Sequence, residues 1–129
     1  MRGLGFLTRM WDNFFNAGGW GMYAVLAFGF CLLAAVALHA LRPEPKLARL
    51  GLLFAGLVFC AGVLGTSIGI CKSAQYVGGL PPDQQLAVLA EGVAESLHVI
   101  ALAMIVLLVG GVFGVLGALR GRPSSVAAV

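Results

Sequence analysis

The sequence predicts an all-α, polytopic membrane protein with three transmembrane helices, and three observations carry that prediction. Hydrophobic residues make up 60% of the 129-residue chain and charged residues 10%, with a mean hydropathy of +1.01. That is too little polar side chain to coat a water-soluble domain of this size. The apolar residues also come in unbroken runs close to the ~20 residues that a helix needs to cross hydrocarbon. They do not alternate with polar ones as barrel strands do, and a backbone in lipid must satisfy its own N–H and C=O groups, which leaves helices.

Residues 1–17 predict an amphipathic helix lying in the membrane interface. Leu7, Met10, Trp11, Phe14 and Phe15 recur at steps of three and four, with Arg2, Arg9, Asp12 and Asn13 largely on the other side. Such a pattern suits the interface plane, and the segment lacks the apolar run and small-residue cleavage site of a secretory signal.

The transmembrane domain is expected over 18–120. After Gly18-Gly19, Trp20 and Tyr23 offer interfacial anchors, and the first span runs over about 20–41 until Arg42-Pro43-Glu44-Pro45-Lys46 stops it. The second occupies about 47–70; Lys72, Gln75, Gly78-Gly79 and Pro81-Pro82-Asp83 end it and turn the chain. A third helix begins near Gln84, carries Glu91, Glu95 and His98, and crosses over about 97–119 before Arg120, Gly121, Arg122 and Pro123 close it. Residues 121–129 read as a disordered tail. There is no internal repeat and no soluble domain.

The charge pattern sets topology rather than a ligand. The formal charge of +3 and pI near 9.1 come from Lys and Arg residues scattered at helix ends, not clustered on one face, so no nucleic-acid partner is expected. Arg42, Lys46, Arg49, Arg120 and Arg122 share one side, against Arg2, Arg9 and Lys72 on the other. The positive-inside rule therefore places residues 42–49 and the C-terminus in the cytoplasm. Cys31, Cys60 and Cys71 fit neither a metal spacing nor a disulfide framework, and are read as small apolar packing residues.

Few residues can carry chemistry. Glu91, Glu95 and His98, at i, i+4 and i+7, fall close to one face of the third helix. Ionisable groups are expensive in hydrocarbon, so such a face points to a helix interface or a wet cavity. The plainer reading for Glu91 is that the helix starts in water, where an acid near its N-terminus is favourable. Glu95-x-x-His98 also matches one element of di-iron helical bundles, but a single copy does not make a metal site, and neither metal nor cofactor is expected. Gly62, Gly65 and Gly69 recur on the second helix, as do Gly110, Gly114 and Gly117 on the third; small residues at this spacing let helix backbones approach. Thr66 stands apart because a hydroxyl both donates and accepts in a proton chain. With no nucleotide loop, nucleophile triad or cysteine metal box, an enzyme is not expected.

Two stretches and an entry segment carry a resemblance. Gly62-Val63-Leu64-Gly65-Thr66-Ser67-Ile68-Gly69-Ile70 resembles the second-helix signature of the ExbB/TolQ/MotA proton-channel family, and Glu91-Gly-Val-Ala-Glu95-Ser-Leu-His98-Val-Ile-Ala is similar to the opening of that family's third helix. Phe14-Phe15-Asn16-Ala17-Gly18-Gly19-Trp20-Gly21-Met22-Tyr23 looks like the aromatic, Gly-Gly-Trp entry of ExbB-type proteins. The resemblance covers roughly residues 10 to 120.

The resemblance implies a bacterial inner-membrane subunit that forms a homo-oligomeric ring, usually a pentamer, around a single-span partner resembling ExbD, TolR or MotB. In the family, protons pass between the ring's polar residues and an aspartate of the partner, and the proton-motive force is turned into work. Thr66 and Glu95 match the family's pore-lining threonine and glutamate. Where the family has a second pore threonine this chain has Ile100, which leaves His98 as the nearby group able to serve as a relay. The Ala-Ile-Pro that commonly follows is replaced by Met104-Ile105-Val106-Leu107, and the segment between the first two spans is short where the family has a cytoplasmic domain. A rival expectation is a non-conducting accessory or structural membrane protein packed by glycine contacts. A small multidrug-type transporter fits less well, since four spans and a glutamate in the first would be expected.

Overall fold

A computed structural model of the chain describes residues 5, 8, 9 and 19–121. The expected interfacial helix over 1–17 and the tail beyond Gly121 lie outside the described residues, apart from Gly5, Thr8 and Arg9. Three helices account for nearly all the rest: α1 (Trp20–Leu41), α2 (Pro45–Val77) and α3 (Pro82–Arg120). Each is long and apolar enough to cross a membrane, and the chain is an all-α, multi-pass membrane protein.

Local chemistry sets the helix ends. Gly19 precedes α1 at φ 59°, a left-handed conformation that glycine takes without a Cβ penalty. At the other end Pro43 forces Arg42 into extended backbone (φ −131°, ψ 100°), as the residue before a proline prefers. Pro45 and Pro82 then open α2 and α3, where a missing N–H leaves nothing unsatisfied. Asp83 lies in the first turn of α3 and Arg120 in its last, both in the favourable sense for the helix dipole.

The second helix outruns the span expected for it, and the third starts close to the expected Gln84, well before its apolar span. α2 continues past Ile70 to Val77, and α3 starts at Pro82. At the 1.5 Å rise of an α-helix, α2 is roughly 50 Å long and α3 roughly 58 Å, against about 30 Å of hydrocarbon. The two extensions lie on each other: a Cβ added to Gly92 would stand 2.6 Å from the Cβ of Ser73. Mutual support keeps them helical until Gly78-Gly79.

Every helix touches the other two. Met22, Val25, Val58 and Val99 are fully buried where the three meet, joined by Leu32, Val36, Leu102 and Ala103. The outer faces stay apolar: Phe30 and Leu52 are each 75% exposed and Leu108 72%. Such surfaces suit contact with lipid. Cys31, Cys60 and Cys71 are exposed free thiols, so they do not pack the core as expected; a bundle this thin buries one stripe of each helix, and the cysteines fall off it.

Candidate functional site

The contact between α2 and α3 is built from small residues in a fixed antiparallel register. A Cβ on Gly62 would lie 2.6 Å from Ala103 Cβ, and one on Gly65 would lie 2.8 Å from Val99 Cγ1; Gly69 faces Ser96. Gly65 also meets Gly21 of α1, at 3.3 Å from its Cα. All three glycines thus act inside the protomer, closing α2 onto α3, rather than on an outward face.

Thr66 belongs to the same contact. It is 8% exposed, and its hydroxyl donates to the carbonyl oxygen of Ser96 at 3.2 Å. A carbonyl has two lone pairs, so Ser96 accepts this bond beside its helical one. The Ser96 hydroxyl in turn donates to Gly92 O at 2.7 Å. Among the described residues no buried side-chain nitrogen or oxygen lacks a hydrogen-bond partner. Within the single protomer, therefore, the Thr66 hydroxyl is turned onto α3.

Glu95 is placed differently. It is exposed, one residue before Ser96, on the flank of α3. It borders two adjoining clefts that also share Lys72, Ser73 and Gly92. The larger, of about 500 Å³, lies between the start of α1 and the α2–α3 pair; the smaller, of about 340 Å³, reaches Tyr76, Val88 and Glu91. Small residues make the space, since Gly65, Gly69 and Gly92 line it.

His98 is half-buried and borders neither cleft. Its Nδ1 lies 2.8 Å from Ala94 O and 3.3 Å from Glu95 O. A carbonyl only accepts, so Nδ1 is the donor in this arrangement. Among the described residues, no three His, Cys, Asp or Glu side chains converge as a metal site would need.

The structure thus brings Glu95 to an open cleft and Thr66 to a closed contact one turn away. Lys72, which in the sequence is an end-of-span and topology charge, borders the same clefts as Glu95. Its place beside Glu95 follows from the antiparallel register, which pairs Ser73 with Gly92. Comparison of the chain with family models, with curated proteins and with solved structures finds no match.

Proposed function

We propose that this chain is the membrane subunit of a proton-channel or stator assembly of the ExbB/TolQ/MotA type, in which protons move between Glu95 and a single-span partner helix. The observation that carries the reading is the position of Glu95. The carboxylate is exposed beside a cleft, one turn before the uninterrupted apolar stretch of α3 that begins at Val99. Two residues before the expected span of 97–119, a carboxylate favours a partner or a wet cavity that receives it. The second-helix and third-helix motifs support the same reading. Several copies of the chain form a ring in the bacterial inner membrane, and their contacts use the exposed apolar faces, because the glycines of α2 are already engaged with α3.

The test is proton flux into liposomes carrying the chain with a candidate single-span partner that bears an intramembrane aspartate. Flux that is lost in Glu95→Gln supports the reading, and flux indifferent to that substitution sinks it. A second reading, a non-conducting accessory protein, is favoured by the Thr66 hydroxyl being held on the Ser96 carbonyl. It predicts no flux from any version although both proteins are inserted.

Orientation has its own test. With residues 42–49 cytoplasmic, reporter fusions at Glu44 and Gly79 are expected to report opposite compartments, the first one inside. Fusions reporting one compartment overturn the orientation and the number of crossings together.

A further inference from the structure

The two clefts together form one amphipathic groove. Along α2, Leu57, Ala61, Leu64, Ile68 and Lys72 line it at helical steps, and Leu57 and Lys72 stand about 22 Å apart along the helix axis. Phe28 of α1 and Val99 of α3 wall its apolar part. Trp20, 81% exposed, stands at the rim, where an indole bridges hydrocarbon and headgroups. At the far end the lining turns charged, with Lys72 and Glu95 bordering both clefts and Glu91 the smaller one.

We infer that this groove binds one phospholipid of the leaflet on the α2–α3 turn side, a zwitterionic lipid whose headgroup carries a primary ammonium. An acyl chain fills the apolar stretch, which follows α2 from Leu57 to Ile68. The larger cleft, at about 500 Å³, lies within the roughly 300–1,000 Å³ of small-ligand sites. The charges select the headgroup. Lys72 takes the phosphate, and Glu91 and Glu95 take the ammonium through charge-assisted hydrogen bonds. An anionic lipid would set its phosphate beside two carboxylates with only Lys72 to offset them. Binding of this lipid engages the Glu95 of the channel reading but requires no proton movement, so adducts are counted independently of any flux.

The experiment uses the full chain, stripped of lipid in mild detergent and titrated with phosphatidylethanolamine, phosphatidylcholine and phosphatidylglycerol of identical short acyl chains, with adducts counted by native mass spectrometry. Phosphatidylethanolamine is expected to bind saturably, about tenfold more tightly than phosphatidylglycerol. Phosphatidylcholine, which keeps the charge but lacks N–H donors, falls between them. Joint Glu91→Gln and Glu95→Gln substitution should erase the preference, and Ala61→Phe should fill the groove and abolish all three adducts. Leu64→Trp, on an exposed rim position, serves the same purpose should Ala61→Phe not fold. Equal adducts for the three headgroups, or adducts unchanged in both groove-filling variants, overturn the site. So does a protein helix found in place of the lipid.

Discussion

Gly62→Leu is expected to dismantle the contact between α2 and α3, while Gly56→Leu on the same helix leaves it intact. Already the first added carbon at Gly62 lies 2.6 Å from the Cβ of Ala103, whereas one at Gly56 meets nothing within 4 Å. Forcing side chain into a closed contact destabilises by about 1–3 kcal/mol or more. Here the helices have no hydrophobic effect to hold them together, since lipid is as apolar as their own side chains. Gly65→Leu should be at least as damaging, because its Cβ would meet both Val99 and Gly21 and so press all three helices apart. Thermal unfolding in a mild detergent distinguishes these outcomes. Gly62→Leu and Gly65→Leu should melt many degrees below the parent, and Gly56→Leu close to it. Equal melting of the Gly56 and Gly62 variants would show that this packing is not what closes the bundle.

Glu95→Gln is expected to lower proton flux by about a hundredfold or more, the scale on which a positioned acid or base contributes. The substitution keeps shape and hydrogen bonding and removes only the ability to take up and release a proton. Thr66→Val is the informative companion. It deletes one interhelical hydrogen bond, to Ser96 O, and such bonds contribute about 0.6 kcal/mol in membrane bundles. The bundle should therefore persist, and a loss of flux reports a lost relay rather than unfolding. In the reverse direction, Ile100→Thr supplies the hydroxyl that the proposed path lacks and should raise flux. Both proteins must be shown to be inserted and oligomeric before the fluxes are compared. Flux unaffected by Glu95→Gln, Thr66→Val and Ile100→Thr alike removes these residues from any pathway.

The parts of the fold marked by backbone chemistry were legible in the sequence. α1 was expected over 20–41 and is found there, because Gly19 at one end and the Arg42-Pro43 pair at the other leave the helix no freedom to extend. The third helix, expected from near Gln84, starts at Pro82, whereas the second runs longer than expected because its bounds followed hydropathy, which reports the thickness of hydrocarbon and not the length of a helix. Past Ile70, Lys72 and Gln75 look like an ending, yet α3 lies alongside and helix continues. Which way a side chain faces was harder to read. Periodicity puts Gly62, Gly65, Thr66 and Gly69 on one stripe but does not say whether another copy or α3 lies against it. Only the register of the pair settles that, and the same register sets Lys72 beside Glu95.

The α2–α3 register also limits how the protein can move. Its contact points, at Gly62, Gly65, Gly69 and Ser73, are one helical turn apart, so a piston stroke of one helix against the other would travel about 5.4 Å. In one direction that stroke carries Val58 to the place opposite Ala103, where not even a glycine's added Cβ fits. In the other it carries Ser73 to the place opposite Ser96 now held by Gly69, again with a side chain where there is room for none. Each direction has its own stop, so the pair cannot ratchet. A motion that keeps this contact carries α2 and α3 together, by tilting or turning the pair.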